Sequence, residues 1–218
     1  HVRYIPGIGV DVDAYSESVV DPADPPRVRA ELGVAPDAFM LTMVAEFSPV
    51  KRHSHILAAL AKVQREDVVL VLAGAGPLED ETRTLAESLG VTDRVRWAGY
   101  RNDIPAVLAA SDALTLVSAR EGLPRSVLEA MAMGRPVIGT KTRGIADAVG
   151  DDSGWIVAKN DVEALARAID HAAASPDECR TRGAAARRRA EEHFALPKVL
   201  GMYEALYAEA SDGRNGRP

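Results

Sequence analysis

A single cysteine, Cys179, stands in 218 residues, so no disulfide can close within the chain and a disulfide-stapled scaffold is excluded. Its neighbours are the charged residues of a helical stretch, which marks the thiol as structural or incidental; the usage is compatible with a reducing cytoplasm. No apolar run approaches the about 18 residues of a membrane span, which predicts a soluble chain. A basic excess is missing too. The formal net charge is −6, against what a nucleic-acid domain or general polyanion binder requires, so any anion must be bound locally. Metal-ligand spacing is equally scarce. His53 and His55 lie two apart, which does not put them on one helix face, and the Asp11 and Asp13 of the DVD triplet fall in a linker rather than at the end of a core strand. No Ser, His and Asp constellation is visible.

What the chain does contain is alternation. With 47% apolar residues it can bury a full core, as one large domain or two small ones. Candidate strands are residues 2–5, 39–45, 68–73, 94–98, 113–117, 136–139 and 155–157; several are continuous apolar runs of the kind buried on both faces. Helical patterns occupy residues 54–64, 78–89, 104–110, 125–133 and 162–174. This order predicts an α/β fold, a Rossmann-like doubly wound parallel sheet with right-handed crossovers. Ligands then bind beyond the carboxyl ends of the strands. Residues 14–37 are rich in proline and acidic side chains, and read as a loop with at most one short helix near 26–32. The opening His1 and the run VRYIPGIGVDVDAY read as an interdomain strand and turn, which predicts a piece of a longer protein. The expected division is an interdomain strand and linker over 1–25, the sheet domain over 26–195, and a C-terminal crossing helix with a disordered tail over 196–218.

The most informative stretch is EGLPRSVLEAMAMGRPVIGT, residues 121–140. It follows a strand and a polar turn, and Pro124 is expected at the first helical position, where a missing amide hydrogen costs nothing. The helix N-terminus is then free for an anion: amides around Gly122, Leu123 and Arg125 can face a phosphate, and the helix dipole favours its charge. Glu121 stays in the turn beside that phosphate. Glu129, further into the helix, can reach back to accept hydrogen bonds from hydroxyls.

This stretch closely resembles the paired-glutamate motif of the retaining glycosyltransferases of the GT-B superfamily, in the branch known as group 1 or family 4. The resemblance implies a Rossmann-like C-terminal lobe that binds a nucleotide diphosphate sugar, with Glu121 near the donor sugar and Glu129 on the ribose hydroxyls. It implies transfer with retention of configuration and no metal or other cofactor, and an acceptor-binding domain placed ahead of this one. The form EGLPRSVLEAMA resembles enzymes of surface-polysaccharide assembly, which points to a UDP-sugar and to a polysaccharide, lipid-linked or small-molecule acceptor. Peripheral membrane contact of the whole cytoplasmic enzyme goes with that expectation.

Three further turns take their meaning from the same resemblance. In VAEFSPVKRHSHIL, residues 44–57, Lys51 keeps the family's diphosphate-binding lysine, but the usual arginine five positions earlier is Glu46. Arg52 is the candidate to replace it. In LAGAGPLEDE, residues 72–81, Gly74 and Gly76 are assigned to the wall of the donor cleft; the third position of a dinucleotide fingerprint holds Glu79, so that match is incomplete. In VRWAGYRNDIPAVLAASD, residues 95–112, Arg101 is the residue expected to stack on the base, since a guanidinium lies well on an aromatic face. Other readings stay open: a nucleotide-sugar epimerase of the same fold, a non-catalytic nucleotide-binding domain, or a dinucleotide oxidoreductase module built on the GAG turn.

Overall fold

Period-two alternation sorts the apolar residues of the central strands onto two faces, and both faces are covered. The computed structural model describes residues 5–215. Six strands, β1 (Phe39–Val44), β2 (Val68–Ala73), β3 (Val95–Gly99), β4 (Ala113–Leu116), β5 (Val137–Thr140) and β6 (Gly154–Val157), form one sheet in the order β3-β2-β1-β4-β5-β6. All neighbours are parallel. On one face Met40, Val69 and Val71 pack with Val28 of α1 (Asp24–Glu31) and Val107 of α4 (Ile104–Ala110). The alternate residues Leu41, Met43, Leu70 and Leu72 pack with Ile56 and Leu57 of α2 (His53–Leu60) and Ile169 of α7 (Val162–Ala174). Side chains of successive residues leave a strand on opposite sides, so a strand with helices above and below must be apolar throughout. Every residue of β2 is buried, as that requires.

The expected strands 39–45, 68–73, 94–98, 113–117, 136–139 and 155–157 all form, with ends moved by a residue or so. The expected strand at residues 2–5 lies outside the described residues except for Ile5, which joins no strand. The proline-rich stretch is less of a loop than expected. The helix near 26–32 starts earlier, at Asp24, because Pro25 and Pro26 occupy its first turn, where no amide hydrogen is needed. Arg29 then ties it to the sheet through the carbonyls of Ala38 and Ala110 and a 2.8 Å ion pair with Asp112, whose carboxylate also accepts the Met40 amide. Residues 24 and 25, placed with the linker in the expected division, lie in this helix.

Helices α3 (Glu79–Ser88), α5 (Arg125–Ala132), α6 (Arg143–Val149), α8 (Pro176–Arg189) and α9 (Leu196–Asn215) complete the fold. Helix α6 was not anticipated: it is seven residues long, carries Gly144 in its first turn and has no side-chain cap. After α8 one wide helical turn, Ala190–Phe194, brings the chain back beside the N-terminal segment. There Val10 donates to the Phe194 carbonyl at 2.8 Å and accepts from Leu196 at 2.9 Å.

Sheet order rather than any single residue fixes where a crevice can open. The crossover through α4 carries the chain from the edge strand β3 back to β4 beside β1, so the strand order reverses between β1 and β4. The turns that leave these two strands at their carboxyl ends, 45–52 and 117–124, carry the candidates Lys51, Arg52, Glu121, Gly122 and Leu123.

Glycine requirements at this edge separate into two kinds. A β-carbon on Gly74, whose φ is +156°, would lie 2.0 Å from the Ala45 carbonyl oxygen, whereas one on Gly122 would meet nothing within 4 Å. Gly74→Ala is expected to cost about 3 kcal/mol or more in urea unfolding, while Gly122→Ala changes stability by no more than about 0.5 kcal/mol. Equal effects of the two substitutions would contradict this account.

Candidate functional site

Lys51 and Glu121, 70 positions apart, meet across the strand-order reversal. Lys51 Nζ lies 2.7 Å from Glu121 Oε1, with the two side chains 25% and 10% exposed. The turns carrying them are bonded directly to each other, Ala119 donating its amide to the Val50 carbonyl at 2.8 Å. Because this pair is largely shielded from water, its attraction is screened less than that of a surface pair.

Beside the pair, α5 begins at Arg125. Pro124 is the residue before the helix, extended at φ −75° and ψ 123°, rather than the first helical residue expected. The shift is one position. No side chain caps this helix, so no side chain takes up its first-turn amides. Gly122 and Leu123 lead into it, Gly122 exposed and Leu123 packed partly against the core. Glu129 sits one turn in and is buried on the helix, its side chain 8% exposed. Its Oε1 accepts hydrogen bonds from the Tyr15 hydroxyl at 2.8 Å and from Arg125 Nε at 2.9 Å. Burial, and then the bond to Glu129, push the Tyr15 hydroxyl up to about 12.

Arg52 takes the left-handed conformation, φ 54°, immediately before α2, and its guanidinium donates to Asn160 Oδ1 at 2.5 Å in the turn after β6. Glu46 is exposed at the mouth of the same turn. Gly74 and Gly76 do line up at the carboxyl edge, but their immediate neighbours are protein: a β-carbon on Gly76 would lie 2.6 Å from the Phe47 amide nitrogen and carbonyl oxygen. The turn after β2 is thus pressed backbone to backbone on the turn after β1. Arg101 leaves the end of β3, two strands from the reversal, and holds Asp103 at 2.7 Å and Glu31 through its Nη1. The side chain is 12% exposed, and its donors are engaged by these carboxylates.

Four contributors escaped the sequence reading. Tyr15 lies 114 positions from Glu129 in the apparent linker, where no local pattern connects the two. Gly144, in the turn-like TRG after β5, lets α6 seat against the other site turn, since a β-carbon there would be 1.2 Å from the Gly122 carbonyl oxygen. Lys159 reaches within 3.5 Å of the Ala119 carbonyl and adds positive charge on the β6 side. His53, weighed above only as a metal ligand, is 3% exposed, stacked on Phe47 at 4.2 Å, and its Nε2 has no hydrogen-bond partner. Among the described residues no group of three or more His, Cys, Asp or Glu is placed to hold a metal. Asp11 of the DVD triplet accepts the amides of Asp13 and Ala14, closing a local turn.

The family model described as "Glycosyl transferases group 1" matches residues 24–189. N-acetyl-alpha-D-glucosaminyl L-malate synthase of Bacillus anthracis is 30% identical over 204 residues, covering 92% of this chain and 54% of that protein. D-inositol 3-phosphate glycosyltransferase of Mycobacterium marinum is 32% identical over 209 residues, covering 92% of this chain and 43% of that protein. Among solved structures, Anabaena HepE in complex with UDP-glucose superposes with a TM-score of 0.83 at 27% identity, over 92% of this chain and 56% of HepE. The chain spans about half the length of the curated relatives it matches.

The environment of His53 has a measurable consequence. Burial, and then the charge of Lys51, hold its imidazole down at about 4, from an ordinary 6.5. Between those two values the unfolded chain binds a proton that the folded chain does not, so stability is complete above pH 6.5 and falls as pH drops toward 4. The loss from this one group is about 3 kcal/mol. Urea unfolding of His53→Leu across that window should lack the corresponding slope; identical slopes for the two chains would refute the buried neutral imidazole.

Proposed function

Because the chain belongs to the glycosyl transferases group 1 family, we propose that it binds the nucleotide diphosphate sugar, a UDP-sugar, for an enzyme that transfers the glycosyl group with retention of configuration. The observation that carries this reading is the Lys51–Glu121 pair beside the uncapped start of α5, with Glu129 buried one turn further on. Lys51 Nζ and the first-turn amides of α5 supply positive potential where the leaving diphosphate gathers charge, the kind of preorganised stabilisation that lowers a barrier most. Glu121, released from Lys51 as the phosphates take that cation, faces the donor sugar. Glu129 is an acceptor-only group when ionised, suited to two vicinal ribose hydroxyls. Arg125 and Lys159 add cationic rim, and Arg52 reinforces Lys51 where Glu46 stands in place of the family's arginine. Arg101 offers its guanidinium face to the base.

The choice of uridine is supported by two structures of one relative, HepE with UDP and HepE with UDP-glucose, at 27% identity. We propose transfer without a metal, since Lys51 and the helix amides fill the cationic role. The acceptor site is assigned to a second lobe ahead of this one, in keeping with the half-length match to relatives. No helix among the described residues is long and apolar enough to cross a membrane. The dinucleotide alternative is disfavoured by Glu79, which begins α3 where the fingerprint wants a glycine or alanine.

Calorimetric titration of the chain with UDP, uridine and NAD tests this directly. UDP should bind and NAD should not. Glu129→Ala should weaken UDP about tenfold to a hundredfold through loss of hydrogen bonds to a charged group, whereas Lys51→Ala should weaken UDP and leave uridine unchanged. Preference for NAD over UDP, or UDP affinity indifferent to both substitutions, would overturn the proposal. The chain alone should show no glycosyl transfer at enzymatic rates.

A further inference from the structure

With Glu129 read as the carboxylate for the ribose, we infer that Tyr15 is a positioning residue for the donor site: its hydroxyl holds one oxygen of Glu129 so that the other is presented to the ribose hydroxyls. Both hydrogen bonds to this carboxylate, from Tyr15 and from Arg125, fall on Oε1; among the described residues none falls on Oε2. Two donors converging on one oxygen fix the plane of a carboxylate and leave the second oxygen's lone pairs for a ligand. Glu129, Tyr15 and Arg125 line a groove of about 390 Å³ together with Val10 and Tyr203, although Glu129 is buried on its helix.

The Tyr15 hydroxyl is suited to this task. Burial and the carboxylate keep it protonated, up to about 12, so it donates throughout the physiological range. Its backbone is held independently of the ligand. The Tyr15 amide donates to the Asp11 carbonyl at 3.1 Å, and the Asp11 side chain accepts the amides of Asp13 at 3.1 Å and Ala14 at 3.0 Å. Arg187 Nη1 then joins this turn to α5 itself, reaching the carbonyls of Val12 at 2.8 Å, Tyr15 at 2.7 Å and Ala132 at 2.5 Å. The DVD turn, an arginine of α8 and the end of α5 therefore form one frame around a single hydroxyl–carboxylate contact. Arg125 cannot replace it. The Arg125 side chain is 79% exposed, and a guanidinium left alone with a carboxylate tends to pair with both oxygens, which would occupy Oε2.

The test compares Tyr15→Phe with the unsubstituted chain for UDP and for 2′,3′-dideoxy-UDP, which lacks the ribose hydroxyls. The unsubstituted chain should prefer UDP. Tyr15→Phe, which keeps the ring and its packing, should weaken UDP about tenfold and the dideoxy nucleotide less than about twofold, so that the preference shrinks. Preference retained in full by Tyr15→Phe, or equal loss for both nucleotides, overturns the role of Tyr15 while leaving Glu129 on the ribose. An unsubstituted chain that does not distinguish the two nucleotides, or does not bind UDP, overturns the reading of Glu129 and this inference with it.

Discussion

At the carboxyl edge of the sheet, successive turns touch through their main chains with no side chain between them. Gly74 lies against Ala45, Gly76 against Phe47 and Gly144 against Gly122, and at each contact a single added carbon would overlap a neighbouring backbone atom. The Ala119 to Val50 hydrogen bond continues the same seam across the strand-order reversal. Turns locked in this way cannot drift relative to one another, and that is what lets Lys51 on one and Glu121 on the other meet at 2.7 Å. A site made of charged side chains on separate loops needs such a scaffold, because an ion pair gains little if its partners must first be ordered.

The architecture was legible in the sequence because a parallel sheet with helices on both faces leaves an unambiguous trace. Residues 39–44 and 68–73 are apolar at nearly every position, and only a doubly covered strand needs that. The paired acids were legible for a different reason: Glu121 and Glu129 lie on one short segment, so local spacing already sets their relative placement. What spacing cannot encode is partnership across the sheet. Tyr15 finds Glu129 over 114 positions, and Arg187 reaches back 172 to Tyr15. The glycines were read as making room for a ligand, yet their nearest neighbours are other turns; the same residue type answers both demands. Helix α6 went unread because seven residues starting Arg-Gly carry too little periodicity to stand out.

Three of the expected site cations are paired with acids. Lys51 is matched by Glu121, Arg125 by Glu129, and Arg101 by Asp103 and Glu31. In a chain of net charge −6, this pairing keeps these cations from making the surface a general trap for polyanions.

Strand-like pairing of Val10 with Ala195 brings the entry and exit of the folded core together, although 184 residues separate them in sequence. Everything between closes on itself as a loop whose two ends meet at one corner. Such a unit can be spliced into an exposed bend of an unrelated host, or have its order rearranged by linking those ends and reopening elsewhere, without disturbing the sheet. Portability of that kind makes the sheet domain a natural module for recombination with different companions.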